Sequence, residues 1–354
     1  MSAPVATPAS SGTYAPAEAP SHVPPSHSAA VVFDAPGELA VRDLALAEPG
    51  AADVVVDVEW SGVSAGTERL LWRGTMPFFP GMGYPLVPGY ETVGRVRWAG
   101  PASGCAAGER VFLPGAHGFR DARNLFGGAA RTLVAPGARA HRVGDALGES
   151  AVLLALAATA LHAVRDPRAP GGGLAAGTAG TALPDLIVGH GALGRLAARL
   201  IVALGGPPPT VWEVAPGRMD GARGYAVVRP DDDARRDYRL AVDASGDVGV
   251  LDTLIGRLAP GGEVVLAGFY TQPVTFAFVP AFLRGARLRV ASEWRPDDLA
   301  AVRALAVTGQ LPLDGLITHR AHAGDGVGAV RAAYEAAFDD AACVKMVLDW
   351  RSYP

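Results

Sequence analysis

Residues 185–194 read Asp-Leu-Ile-Val-Gly-His-Gly-Ala-Leu-Gly. The apolar run Leu186, Ile187, Val188 enters a glycine turn, and a helical pattern follows with Leu196, Leu200, Ile201 and Leu204 on one stripe and Arg195 and Arg199 off it. Strand, glycine turn and helix form the context in which G-x-G-x-x-G cradles a dinucleotide. Gly189 permits the tight turn, Gly191 lets a pyrophosphate approach the backbone, and Gly194 lets helix and strand pack closely. His190, Ala192 and Leu193 complete the predicted cradle, at a helix N-terminus whose free N–H groups and positive dipole end suit phosphate. A second strand, Thr210-Val-Trp-Glu-Val214, puts Glu213 nineteen residues past Gly194. A carboxylate there accepts both ribose hydroxyls of NAD and repels the 2′-phosphate of NADP.

Outward from this turn the pattern alternates strand and helix. Leu186–Val188, Val211–Val214, Tyr225–Val228, Leu240–Asp243, Glu263–Ala267 and Leu288–Ala291 are six strand candidates, which with helices between them predict an α/β doubly wound parallel sheet. Upstream, Ala30–Phe33, Val54–Trp60, Glu91–Trp98, Arg110–Leu113 and Thr132–Val134 are short β runs broken by Pro and Gly, the mark of a small, mostly β domain. Glu149–Val164 reads as a helix leading into the second domain, and a helix over Asp297–Thr308 and a β segment over Lys345–Asp349 follow it. The expected division is a disordered tail at 1–28, a catalytic domain from 29–150 and 309–354, and a nucleotide-binding domain at 151–308. The stretch 168–181, rich in Gly and Ala, is expected to be a flexible surface loop.

The 354 residues carry a net charge of −4, which gives no sign of a nucleic-acid partner. Two cysteines, Cys105 and Cys343, exclude a disulfide framework and suit a cytoplasmic enzyme. No uninterrupted apolar run approaches the roughly 18 residues of a membrane span, so an integral membrane protein is not expected. The alanine-rich Ala151–Ala163 reads as a buried helix.

Pro88-Gly-Tyr-Glu-Thr-Val-Gly94, Gly108-Glu-Arg-Val111, Ala157-Ala-Thr-Ala160, Val242-Asp-Ala-Ser-Gly246 and Gly261-Gly-Glu-Val-Val-Leu-Ala-Gly268 follow one another in an order that resembles the medium-chain dehydrogenases/reductases. The resemblance covers nearly everything after residue 29 and implies a GroES-like catalytic domain beside a Rossmann domain. Within that superfamily, SGVSAGTE (61–68), MPFFPGMGYPLVPGYE (76–91), LPDLIVGHGALGRLAARL (183–200), LAGFY (266–270), LDGLITHR (313–320) and KMVLDWR (345–351) are similar to a branch that acts on bacteriochlorophyllides. It implies NAD-dependent oxidation of a 3-(1-hydroxyethyl) side chain to 3-acetyl, a tetrapyrrole substrate and, by analogy, a homodimer. Two other readings stay open: a quinone or enone reductase of the same fold using NADPH, against which Glu213 argues, and a nucleotide-binding pigment carrier without turnover.

Zinc-dependent members of the resembled superfamily carry a Cys near the position of Ser64 or Ala65 and a His in the motif that here reads Pro88-Gly-Tyr90-Glu91. This chain has neither, and two isolated cysteines cannot build a tetrahedral cluster, so no metal is expected. Protein groups must then take the hydroxyl proton as hydride leaves. Tyr90, Glu91, His117, Ser64 and Thr67 are the catalytic candidates. Carried over by motif, Thr159 and Ala267, Gly268 and Phe269 border the nicotinamide, Asp243, Ala244 and Ser245 approach the cofactor, and Lys345 reaches a phosphate. The Pro/Gly-broken segment 76–84 offers Phe78, Phe79, Met82 and Tyr84 as a wall for a large planar ring. Arg69, Arg73, Arg120 and Arg123 are candidate partners for its propionate.

Overall fold

The first half is made of strands whose inward faces are Val, Ala and Phe, so that each buries one side. In the computed structural model, which describes residues 24–78, 80–165 and 183–353, β1 (His27–Ala35) and β2 (Glu38–Ala45) form a hairpin, followed by β3 (Asp53–Val63) and the short helix α1 (Thr67–Trp72). Then come β4 (Leu86–Val87), β5 (Thr92–Ala99), β6 (Arg110–Leu113), β7 (Arg123–Asn124), β8 (Thr132–Pro136) and β9 (His141–Arg142). One sheet runs β2-β1-β4-β7. Strand β1 begins at His27, inside the stretch expected to be a disordered tail; its pairing with β2 from His27↔Ala45 onward holds it in place. Residues 1–23 of that tail, and the loop expected at 168–181, lie outside the described residues.

Helix α2 (Leu154–Val164) leads into the second half and buries Leu154, Ala155, Ala157, Ala158, Ala160 and Leu161. The apolar stretch Asp145–Val164 is long enough to cross a membrane, but it breaks at Gly148 (φ 50°, ψ −140°) and its residues Ala151 to Leu154 lie in the core. After it come β10 (Leu186–Val188), α3 (Ala192–Ala203), β11 (Thr210–Trp212), β12 (Ala226–Val228), β13 (Tyr238–Asp243), α4 (Leu251–Arg257), β14 (Leu258–Leu266), α5 (Phe278–Arg284), β15 (Arg287–Val290) and α6 (Pro296–Val307). The six strands pair in parallel in the order β12-β11-β10-β13-β14-β15. The order reverses beside β10, and that switch point is where open α/β sheets bind ligands.

The chain then returns to the first half. β16 (His319–His322), α7 (Val327–Asp339) and β17 (Met346–Asp349) complete a seven-stranded sheet, β16-β17-β3-β5-β6-β9, with β8 on β3. Strand β17 pairs antiparallel with β3, and α7 packs Tyr334 edge-on against Phe33. Arg195 and Arg199, read as the solvent side of α3, are buried instead. Arg195 Nε donates to the His190 carbonyl at 2.9 Å, and Arg199 Nη1 donates to the carbonyls of Pro312 and Asp314 at 2.8 and 2.9 Å. These bonds give partners to cations that burial alone would expel, and those of Arg199 tie α3 to the returning chain.

Candidate active site

The glycine turn between β10 and α3 has the geometry a dinucleotide needs. Gly189 has φ +91°, and a Cβ on Gly194 would stand 1.8 Å from the Gly189 carbonyl oxygen. At Gly191 the space is open: the nearest atom to a Cβ there is Arg218 Nη1 at 3.9 Å. Glu213, at the end of β11, folds its carboxylate under the turn. Oε2 accepts the His190 N–H at 2.8 Å, and Oε1 accepts those of Val214 and Ala215 at 2.7 and 2.8 Å. These donors hold its pKa below the ordinary carboxylate value against the opposing effect of burial, and with four lone-pair sites it keeps capacity for a ribose hydroxyl. The His190 side chain is buried: Nδ1 donates to the Arg218 carbonyl at 2.6 Å, so Nε2 accepts the Tyr225 hydroxyl at 2.9 Å. Burial pushes its pKa down to about 4, so the ring is a neutral spacer. Its backbone N–H, expected to meet phosphate, is taken by Glu213.

Beside the turn, the ends of β13 and β14 approach closely, with a Gly268 Cβ coming within 2.5 Å of the Gly246 nitrogen. The Asp243 carboxylate accepts the Ser245 hydroxyl at 2.6 Å and the Tyr270 hydroxyl at 2.7 Å. It therefore shapes this edge from below, while Ser245 and Phe269 are exposed and Ala244, Ala267 and Gly268 half-buried. Thr159 spends its hydroxyl on the Ala155 carbonyl of its own helix at 3.1 Å. Arg218 was not a sequence candidate; a basic residue five positions past the acidic strand end was the available signal.

On the catalytic side, the Ser64 and Tyr90 hydroxyls lie 2.6 Å apart, and the Thr67 side chain also bonds Tyr90. Burial and the nearby Glu91 charge push the Tyr90 phenol above its ordinary pKa, which suits it to pass or share a proton rather than to stand as phenolate. Beneath this pair lies a buried charged group. Glu91 is fully buried and accepts two bonds from Lys345 Nζ, at 2.9 and 2.7 Å, while Nζ also donates to the Val63 carbonyl at 3.2 Å. This corrects two expectations. The Glu91 carboxylate is committed to a cation and is not a free base, and all three Lys345 protons are used, so Lys345 cannot reach a phosphate. Glu68 was not chosen as a catalytic candidate from the sequence. It is fully buried, its Oε1 accepts the Ser64 N–H at 3.3 Å, and its Oε2 makes no hydrogen bond of normal geometry. Burial and the Glu91 charge push its pKa up to about 8, so it is a neutral acid at pH 7.

His117 is exposed and forms no hydrogen bond with Ser64, Thr67, Tyr90 or Glu91; its ring bonds the Asn124 backbone. In the 76–84 segment Phe78 is 93% exposed, while Tyr84 gives its hydroxyl to the Leu71 carbonyl and packs with Met82 against the core. Tyr84 thus fixes the loop, and Phe78 is its free aromatic face. Phe79 lies outside the described residues. Arg73 pairs with Asp339, and Arg69 shares a cationic field with Arg73 and Arg218, toward the nucleotide turn. Arg120 is exposed, and the Arg123 side chain lies against Gly83.

The donor set does not fit zinc. Ser64 and Tyr90 bond each other, Glu91 is neutralised by Lys345, and among the described residues no three His, Cys, Asp or Glu side chains gather as metal donors. Residues 50–145 match the alcohol dehydrogenase GroES-like domain. The acetophenone reductase of Geotrichum candidum, solved in complex with NAD, superposes with a TM-score of 0.74 at 19% identity, over 92% of this chain and 98% of that one. A GroES-like domain joined to a parallel nucleotide-binding sheet defines a medium-chain oxidoreductase of the alcohol dehydrogenase type. The 2-desacetyl-2-hydroxyethyl bacteriochlorophyllide A dehydrogenase of Rhodobacter capsulatus is 53% identical over 91% of this chain and 98% of its own length. That of Cereibacter sphaeroides is 52% identical over the same shares. The chain belongs to the 2-desacetyl-2-hydroxyethyl bacteriochlorophyllide A dehydrogenase family.

Proposed function

We propose that this enzyme oxidises the hydroxyethyl side chain of a (bacterio)chlorophyllide to an acetyl group, with NAD as acceptor and without zinc. The observation that carries the reading is the Ser64–Tyr90 hydroxyl pair at 2.6 Å, set where zinc-dependent members of the fold carry ligands. A secondary alcohol becoming a ketone loses a hydride from carbon and a proton from oxygen. Held by its pyrophosphate at the glycine turn, a nicotinamide dinucleotide would supply the hydride acceptor. Tyr90, with Ser64 and Thr67, orients the substrate hydroxyl and relays its proton along the shared hydrogen bonds to solvent water as the hydride leaves. Gly189, Gly191, Gly194 and the N-terminus of α3 hold the pyrophosphate, with the Arg218 guanidinium beside it. The Glu213 carboxylate favours ribose hydroxyls over a 2′-phosphate, hence NAD.

A homodimer is part of the same proposal. β15 is an open sheet edge, and the exposed Phe278, Val279, Phe282, Leu283 and Val290 form an apolar surface beside it of the kind that a two-fold partner covers. Free thiols at Cys105 and Cys343 suit a reducing, cytoplasmic compartment.

The test is spectroscopic. A carbonyl conjugated with the macrocycle extends its π-system, so NAD plus the hydroxyethyl pigment should yield a red-shifted product and one NADH per acetyl formed. An unchanged pigment spectrum would reject the reading. A preference for NADPH over NADH would favour the quinone reductase alternative.

A further inference from the structure

We propose that His117 ligates the central magnesium ion of the pigment, holding the macrocycle while the Ser64–Tyr90 pair handles its side chain. The assignment rests on the pigment reading above. Bacteriochlorophyllides are planar magnesium complexes, and magnesium, which prefers octahedral coordination, has positions above and below a ring that fills four sites. Imidazole can fill one.

His117 stands on the loop between β6 and β7. One ring nitrogen donates to the Asn124 backbone, and the other has no hydrogen-bond partner among the described residues. A ligating histidine normally has its second nitrogen tied in this way, which fixes the ring and leaves a lone pair for the metal. Partial desolvation and the Arg139 cation also lower its pKa, which favours the neutral, ligating imidazole.

His117 is connected to the hydroxyl pair through Phe126. The Ala116 N–H donates to the Phe126 carbonyl at 2.8 Å, and the Phe126 ring meets the Tyr90 ring edge-on with centroids 5.3 Å apart. His117 is therefore one residue beyond two contacts from the hydroxyl pair. That offset suits a metal at the centre of a macrocycle whose rim carries the reacting alcohol. The loop bearing the exposed Phe78 is joined to the same region. It runs into β4, which pairs with β7 (Leu86↔Arg123), and Gly83 packs on the Arg123 side chain. The Phe78 loop and the His117 loop are thus joined through β4 and β7.

The experiment compares the magnesium pigment with its magnesium-free counterpart, in wild type and His117→Ala. Binding is read without NAD from the coordination-sensitive visible bands, and KM and kcat are read with NAD. In wild type the magnesium pigment should show the band shift of an added nitrogen ligand, and in His117→Ala the shift should vanish. KM for the magnesium pigment should rise about tenfold, the loss of one moderate contact, with kcat little changed, while the magnesium-free pigment is handled alike by both proteins. Equal weakening of both pigments, or an unchanged band shift in the variant, would overturn the ligand role and leave the functional reading intact. A protein that ligates the pigment but never oxidises it would do the reverse. His117 is exposed, so the variant should fold, and an unchanged melting temperature verifies that.

Discussion

Burial keeps Glu68 protonated. Its unfolded pKa is near 4.5 and its folded pKa about 8, so between those values the folded chain keeps a proton that the unfolded chain releases. Its contribution to stability is fully present below pH 4.5, declines as pH rises toward 8, and is flat above that. Melting curves from pH 5 to 9 should show Glu68→Gln losing less stability over this range than wild type; parallel curves would mean that Glu68 is already ionised in the folded protein. The Glu91–Lys345 pair makes a different prediction. Removing one partner strands a buried charge, so Lys345→Met should cost about 3–5 kcal/mol. The double change Glu91→Gln with Lys345→Met should cost clearly less than the two single changes summed, as read by denaturant unfolding. None of this was legible in the sequence. Glu91 lies 254 positions from Lys345, and their meeting depends on β17 returning to β3, a contact that no local pattern encodes.

At the scale of elements, the glycine turn was readable because its chemistry is local: a strand, three glycines and a helix within about ten residues specify it without help from the rest of the fold. The structure divides those glycines by task. Gly194→Ala puts a methyl 1.8 Å from the Gly189 carbonyl oxygen, so this variant should be destabilised and lose nucleotide binding together. Gly191→Ala meets only Arg218 Nη1, at 3.9 Å, so it should keep its melting temperature and lose nucleotide affinity. Calorimetric melting beside nucleotide titration separates the two, and a Gly191→Ala protein binding as wild type would remove Gly191 from the phosphate path. Elements were harder to read where periodicity misled. The polar spacing of Arg195 and Arg199 marked the solvent side of α3, yet both side chains are buried and donate to backbone carbonyls. Helix α7 went unread although it buries Val330, Ala333, Tyr334 and Phe338; small alanines between those residues weaken the apolar stripe.

For the molecule as a whole, the parallel sheet leaves β15 at its edge with α5 beside it. If the proposed dimer forms through this face, wild type should scatter as a dimer, and replacing Phe278 and Phe282, both well exposed, by Glu should give a folded monomer with the melting transition still cooperative; a variant with the wild-type mass would contradict that interface. The two halves are bound by the returning chain, in which Arg199 grips the 312–314 backbone and Lys345 closes the buried charge group under Tyr90. That closure gives the central claim, which is alcohol oxidation run by hydroxyl groups over a neutralised carboxylate. The most direct measurement is NAD-linked oxidation of the hydroxyethyl pigment by protein dialysed against chelator, with zinc quantified in the same sample. Undiminished turnover with far less than one zinc per chain, and no gain on adding zinc, is the predicted result. Activity lost on chelation and restored by one zinc per chain would contradict it.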